Sequence, residues 1–467
     1  MNVQDRPKMV RRDFLRGALA MGVMIPAGAV LASCAAPSGS GSGQKKSGST
    51  SGATSAKNPF GIKKDSSYEV VMFNGGDGYA YVTYAVKEVD QKWGTTSKVT
   101  PQTNIAQSLQ PRFVGGTPPD LVNDAGANQM PLATIASQLE TLDDIFDAET
   151  YEGKKISDVT YPGIREPGLV DDRFVALNYT YTVYGIWYSA SLFRENGWTP
   201  PKTYDEAIEL GAKAKAKKKY LFTFGKEAAN YYQTMAVDSA IKQGGLEVMD
   251  ALQNLHPKAW SQKPIQQVLA KLEEIVKRGY FIPGGAGTQF TAAQAKWSQD
   301  EQALLYPSGG WIETEMKKAT KSGFEMTGAP EPTIDSSTKL PFASLRAGAG
   351  QPFVVPKQGK NPAAGKEVLR AMISKKAATN FVKSSLRPCI VKDLVPADGF
   401  GSTSLVSQVK MLDAAGKNIF NPTFATLYGL NTEGLVVWNA FLSGQTDAKG
   451  LASTLQKHMD QAAAKKK

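Results

Sequence analysis

The chain has 467 residues, 42% hydrophobic and 21% charged, with a formal net charge of +11, two cysteines and two histidines. That length exceeds what one hydrophobic core can hold, so two lobes are expected, and the ordinary composition excludes a fibrous or wholly disordered chain. Two cysteines cannot make a disulfide framework, and His256 and His458 flank no metal-spaced partner, so a zinc site and Ser-His-Asp chemistry lack their parts and neither metal nor cofactor is expected.

The N-terminus has the form of an address. Val10-Arg11-Arg12-Asp13-Phe14-Leu15 puts paired arginines before an apolar pair, and Gly17 to Ser33 carries no charge. That stretch is shorter than the ~20 apolar residues of a spanning helix. A basic start and a short apolar region ending in small residues mark 1–33 as a signal peptide, and the paired arginines point to the twin-arginine export route. Leu31-Ala32-Ser33-Cys34 resembles a lipobox, so Cys34 would carry a diacylglycerol. At ~0.8 kcal/mol per buried CH₂, two chains anchor a protein to the extracytoplasmic face of the cell membrane.

Residues 34–66 are expected to be a flexible tether. Ala35 to Lys57 is rich in Ser, Gly, Ala and Thr and has no aromatic or branched aliphatic residue. Such a segment buries too little surface to offset the entropy of ordering. The leader's five basic and two acidic residues leave with it, and the remaining charge, about +8, is diffuse apart from Lys217–Lys219 and Lys465–Lys467. Both runs read as solvated faces. A nucleic-acid partner would require a basic stripe interleaved with stacking rings, so none is expected.

Beyond the tether, Glu69-Val70-Val71-Met72-Phe73 reads as a buried strand, Asn74-Gly75-Gly76-Asp77-Gly78 as its exit loop, and Tyr79 to Trp93 as a helix. This is an α/β unit with its loop at the carboxyl edge of a sheet. The loop lacks G-x-G-x-x-G, and Asp77 would repel phosphate, so Gly76 and Asp77 suit a hydroxyl-rich ligand better. A second unit follows: Pro118 to Asn123 as strand, Asp124-Ala125-Gly126-Ala127-Asn128-Gln129 as loop. Asp124, Asn128 and Gln129 offer an acceptor carboxylate and two amides, which match sugar hydroxyls and amide substituents. Asp124 reads equally well as a helix N-cap.

The segment Ala176 to Ser189, ALNYTYTVYGIWYS, holds four tyrosines and a tryptophan but no charge. Tyr179, Tyr181 and Val183 share one strand face, whereas Tyr184, Ile186 and Tyr188 continue the apolar pattern on the other. A strand that changes its buried face midway suits a crossing between lobes, and Gly185 at the flip suggests a bulge or a close backbone approach. Tyr184 should face the gap, with Trp187 and Tyr188 in the core.

Thr203-Tyr204-Asp205-Glu206 is a capping box; Pro264 opens an amphipathic helix closed by Gly279; Asn361-Pro362 caps and starts another. Tyr231 and Tyr232 follow the strand-like Tyr220 to Phe224. Leu304 to Gly310 places Trp311 just past a strand-ending glycine pair, a setting in which a ring can stack on a ligand. Cys389 reads as a small buried hydrophobe. The adjacent carboxylates Asp143-Asp144, Asp171-Asp172 and Glu273-Glu274 keep a glycosidase with a carboxylate pair as the alternative reading.

These motifs in this order, with Leu109 to Phe113, Pro201 to Glu206 and Gly309-Gly310-Trp311, resemble the extracellular sugar-binding lipoproteins of ABC importers (family 1 solute-binding proteins). The resemblance covers Asn58 to the C-terminus and is nearest to the N-acetylglucosamine and diacetylchitobiose binders. It implies an α/β, two-lobed periplasmic-binding-protein-like fold of type II, its lobes joined by a crossing hinge. The lobes would be 67–180 with 348–398 and 181–347 with 399–467.

It also implies a non-catalytic, monomeric receptor that grips a mono- or oligosaccharide and delivers it to membrane permease subunits driven by an ATPase. The implied contacts are Trp311 by stacking, Gly76, Asp77, Asp124, Asn128 and Gln129 by polar groups, and Tyr184, Tyr231 or Tyr232, and Tyr428. The late segment Asn421 to Tyr428 departs from the family in one place: Leu427 stands where members carry a tryptophan before the tyrosine.

Overall fold

The structure is a computed structural model and describes residues 52–75, 77–126 and 129–465. The signal peptide, Cys34 and the first part of the tether, together with Gly76 and Asn128, lie outside the described residues.

Among the described residues eleven strands are formed: β1 Ser67–Phe73, β2 Thr96–Gln102, β3 Leu121–Asn123, β4 Leu169–Val170, β5 Arg173–Phe174, β6 Leu177–Ser189, β7 Tyr220–Phe222, β8 Ala303–Gly309, β9 Met326–Ala329, β10 Leu345–Val354 and β11 Ile419–Phe420. Nine of them make one hydrogen-bonded array in the order β2-β1-β3-β10-β6-β8-β7, with β11 on β10 and β9 on β6. β1 runs parallel to β2 and β3, joined by helical crossovers, whereas β10 runs antiparallel to β3 and β6 but parallel to β11, and β6 runs antiparallel to β8, β9 and β10.

β1 is hydrophobic on both faces because both are covered. Val70 and Met72 join a core with the helices Ala80–Trp93 and Pro362–Ile373, whereas Val71 faces the helix Ile105–Val114 through Ile105, Leu109 and Phe113. The second half repeats the plan. Ile186, Leu221, Leu304 and Leu305 pack with the helices Tyr204–Ala216, Tyr231–Gly244 and Lys263–Lys277, and Trp187, Trp297, Tyr306 and Ile312 form the core on the other face. The Thr203–Glu206 capping box is complete, and Asn361 Oδ1 accepts from the Ala364 N–H.

β6 connects the two halves. Through Val183 it pairs with β10, and from Tyr184 onward with β8 and β9. The flip of buried face anticipated at Val183-Tyr184-Gly185 does not occur, because Tyr179, Tyr181, Val183, Gly185 and Trp187 are all buried and Tyr184 and Tyr188 are only half-buried; what changes there is the partner strand. Gly185 is required there, because a Cβ would lie 2.6 Å from the Ala329 carbonyl oxygen and 2.9 Å from Met411 Cε. β10 forks at the same level: Ala347 pairs with Val183, but Arg346 pairs with Phe420 of β11.

Two expectations change. Residues 58–66 are not tether: Phe60 and Ile62 are 8% and 2% exposed in the first core, and Asn58 ties the segment by accepting from the Ile62 N–H and donating to the Ala53 carbonyl. The apolar side chains that Ala35–Lys57 lacks begin at Phe60. Tyr181, Val183, Leu345 and Ala347, expected in the second lobe, pack in the first core together with Leu405, Met411 and Leu412. β6 keeps β10 as its partner up to Val183, and the helix Thr403–Ala415 lies across the junction.

Candidate ligand-binding site

β8 ends at Gly309, and Trp311 caps the helix Ile312–Met316 that follows. Its indole meets the Tyr184 ring edge-on, centroids 5.5 Å apart at 86°, and the Tyr231 ring at 6.1 Å and 64°. All three side chains are half-buried. The glycine pair makes this possible: a Cβ on Gly309 would lie 2.0 to 2.5 Å from three indole ring atoms. The result is a half-open aromatic corner, suited to covering an apolar, flat ligand face.

Tyr231 and Tyr232 separate cleanly. They open the helix Tyr231–Gly244, where successive side chains point about 100° apart. Tyr231 therefore faces Trp311. Tyr232 is fully buried, its ring between Phe222 and Phe281 and its hydroxyl donating to the Thr223 carbonyl at 2.6 Å. Tyr232 is core, a correction to its candidacy. Trp187 is core as expected, and Tyr188 is half-buried against Phe193.

Behind the corner, a small cavity is bounded by Tyr184, Tyr231, Thr234, Met235, Ser308 and Glu331. Ser308 Oγ and Glu331 Oε2 are buried there without a hydrogen-bond partner. Farther in, Asp238, Lys242, Glu331 and Arg346 form a charge-balanced cluster. Arg346 sits at the fork of β10, with its guanidinium 4.7 Å from the Tyr184 ring centroid, Nη2 donating to the Pro422 carbonyl at 2.8 Å and Nη1 3.8 Å from Asp238. Burial raises the Asp238 and Glu331 carboxyls and lowers the Lys242 ammonium to about 8. Arg346 was not among the expected residues, although a lone long cation before Ala347-Gly348-Ala349-Gly350 was a visible signal.

The loop residues behave differently from open contacts. Asp77 Oδ2 accepts from Arg387 Nη2 and from Gln351 Nε2, and the Asp77 and Arg387 side chains are 9% and 8% exposed. Gln351 holds a left-handed backbone, φ 57°, just before Pro352. Asp124 is completely buried, a correction to its expected role as an acceptor for sugar hydroxyls. Its Oδ1 accepts from the Met130 N–H at 2.8 Å, closing its own loop, and Oδ2 has no partner; burial pushes its pKa up to about 6. It does not cap the helix Leu132–Ile135, which starts beyond Pro131.

Gln129 is exposed at the end of that loop. Tyr428 is half-buried against the second core at the close of the helix Phe424–Leu427, and Leu427 beside it is 60% exposed.

The carboxylate pairs are engaged elsewhere. Asp143 pairs with Arg165, Asp144 with Lys366, Glu273 with Lys277 and Glu274 with Arg278, whereas Asp171 and Asp172 form an exposed turn. No cluster of three or more His, Cys, Asp or Glu that could hold a metal occurs among the described residues. Cys389 is buried, and burial pushes its thiol up to about 12.

A two-lobed α/β body whose central strand changes partner beside a half-open aromatic corner defines a ligand-binding receptor. Residues 73–379 match the family described as bacterial extracellular solute-binding protein, and the chain belongs to that family. It is therefore an extracytoplasmic binding protein and not an enzyme. It is 58% identical over 452 residues, 96% of this chain and 95% of the relative, to the diacetylchitobiose binding protein NgcE of Streptomyces coelicolor.

Among solved structures, the apo form of RafE from Streptococcus pneumoniae matches with a TM-score of 0.69 at 18% identity, covering 86% of this chain and 99% of that one. A chitin oligosaccharide binding protein matches with 0.66 at 19%, covering 86% and 99%. At those identities the likeness carries the fold.

Proposed function

We propose that the chain is the receptor of a carbohydrate ABC importer and that it binds diacetylchitobiose, or a closely related N-acetylglucosamine oligosaccharide, between its lobes. The observation that carries this reading is 58% identity along 96% of the chain to a diacetylchitobiose binding protein. The aromatic corner of Tyr184, Tyr231 and Trp311 supports it, because ring faces suit sugar C–H faces.

In this reading Asp77, Gln129 and Tyr428, with Gly76 and Asn128, supply polar contacts at the margin, and Asp124 acts by shaping the loop that carries Asn128 and Gln129. The lobes divide where β6 exchanges β10 for β8, after Val183, and where β10 forks, at Arg346. Ligand shifts an open–closed equilibrium by its differential affinity for the closed form, which then docks on the permease. Cys34 carries the lipid anchor that keeps a monomeric receptor near its transporter.

Thermal unfolding with N-acetylglucosamine, diacetylchitobiose, chitotriose, cellobiose and maltose tests the ligand. Diacetylchitobiose at 100 times its dissociation constant should add about 2.7 kcal/mol of stability. No shift with any N-acetylated sugar would reject the reading. Mass spectrometry of the membrane-extracted protein tests the anchor, with a diacylated N-terminal Cys34 as the expected species.

A further inference from the structure

We propose that Arg387 is a positioning residue, and that the turn Ser385-Leu386-Arg387 fixes the Asp77 carboxylate relative to the Trp311 ring. This rests on the reading that Trp311 and Asp77 both meet the ligand. The two lie on different elements, one at the end of β8 and the other after β1, and no direct contact joins them. The turn does.

Arg387 reaches one way. Its Nη2 donates to Asp77 Oδ2, the oxygen that also accepts from Gln351 Nε2, and the pair is nearly closed to solvent. A guanidinium with so little water around it holds a carboxylate in a defined orientation.

The turn's backbone reaches the other way. The Ser385 carbonyl accepts from Thr314 Oγ1 at 2.7 Å, and Thr314 is in the helix that Trp311 caps. The Leu386 carbonyl accepts from Gln408 Nε2 at 3.5 Å. The Gln408 side chain lies directly against Gly310, its Oε1 2.0 Å from where a Cβ would stand. Trp311 is thus bracketed on both sides, by Gly310 before it and Thr314 after it, and each bracket is tied to the same turn.

Leu386 confirms that the turn is held rather than loose. Its φ of 52° and ψ of 36° are left-handed, a conformation a leucine keeps only where its surroundings enforce it. The helix Lys375–Ser385 ends there with the Leu386 N–H donating to the Val382 carbonyl at 2.9 Å. Ring, hydroxyl, carbonyl, guanidinium and carboxylate form one continuous series, so displacing the turn moves the ring wall and the acceptor together.

The test uses Thr314→Val and Arg387→Lys in the full chain, neither of which removes a group assigned to ligand contact. Calorimetric titration with diacetylchitobiose should show affinity about three- to tenfold weaker for each, the scale of one lost hydrogen bond. The double variant should be no weaker than the worse single, because both break one series. Ligand-free unfolding temperatures should fall by no more than a few degrees, the cost of one buried hydrogen bond, so both variants are folded when titrated.

A second readout needs no sugar. With 5-fluorotryptophan incorporated, the Trp311 fluorine resonance, assigned by Trp311→Phe, should move in Arg387→Lys although Arg387 does not touch the ring. Affinity unchanged in both single variants, or a Trp311 resonance unmoved by Arg387→Lys, overturns the proposal. A wild-type protein that binds no sugar but whose Trp311 resonance responds to Arg387→Lys would sustain the turn's role and reject the ligand reading instead.

Discussion

The Trp311 indole and the Tyr184 ring meet edge to face, centroids 5.5 Å apart, so the strand that joins the lobes and the helix after β8 present their rings as one surface. Because the rings support each other, losing one affects the others. Trp311→Ala should weaken every sugar the protein binds by at least about fivefold, the stacking contribution of one ring. Selectivity among sugars should change little, since a ring face recognises shape and not hydroxyl pattern. Calorimetric titration across a sugar panel gives both quantities. A variant that loses one sugar and keeps the others would contradict the stacking role.

The two adjacent tyrosines give opposite expectations. Tyr232→Phe removes a buried hydroxyl and leaves the Thr223 carbonyl unpaired, which should cost about 1–3 kcal/mol of stability and leave sugar affinity unchanged. Tyr231→Ala should do the reverse, with weaker binding and a smaller loss of stability. Urea unfolding and calorimetry on the same pair of variants separate the roles.

How much of this was legible in the sequence follows from what kind of contact each feature is. The close backbone approach at Gly185 in β6 was legible, because a glycine among tyrosines is written in consecutive residues, whereas the change of buried face expected at Tyr184 is absent, since helices and loops cover both sides of the strand. The caps at Thr203 and Asn361 were legible for the same reason. The choice between Tyr231 and Tyr232 was not, since both are tyrosines and only the packing of their helix orients them. Nor was the pairing of Asp77 with Arg387, whose partners are 310 residues apart, or the seating of Arg346 on Tyr184. In the sequence Asp124 reads equally as an acceptor for ligand or a helix N-cap, both solvated settings; its burial depends on β10 passing beside it, with the Asp124 N–H donating to the Pro352 carbonyl.

That burial has a pH signature. In the unfolded chain Asp124 should ionise near 3.9, and in the fold its pKa is about 6. Between those values the folded protein binds a proton that the unfolded chain has released, so this group's contribution to stability falls as pH rises through that window. The penalty at neutral pH is about 3 kcal/mol from Asp124 alone. Buried Glu331 and Asp238, both raised by burial, act in the same direction. Urea midpoints should be higher at pH 5 than at pH 7, and Asp124→Asn should reduce the difference by the share that Asp124 contributes. A midpoint that rises from pH 5 to pH 7 would contradict this assignment.

Far from the aromatic corner, Glu367 tests stability alone. Its fully buried carboxylate takes donors from Lys92 at 3.2 Å, Trp93 at 3.2 Å, Tyr151 at 3.0 Å and Arg370 at 3.2 Å. Removing it strands the Arg370 guanidinium, only 5% exposed, without its counter-charge. Glu367→Ala should therefore cost about 3–5 kcal/mol in urea unfolding, with sugar affinity unchanged below its midpoint.

The sharpest test of the ring geometry leaves the ring in place. Gly309 has ordinary strand geometry, so alanine there meets no backbone strain, but its Cβ would come within 2.0 to 2.5 Å of three atoms of the Trp311 indole. A rigid indole cannot flex out of such a contact, so the whole ring must swing away from Gly309, breaking its edge contacts with Tyr184 and Tyr231. Gly309→Ala should then weaken sugar binding about as much as Trp311→Ala while every ring is still present. Its cost in stability should be small, because the half-buried indole has room to move outward. Wild-type affinity in this variant would mean that the ligand does not depend on where the indole stands, and the aromatic corner would lose its role.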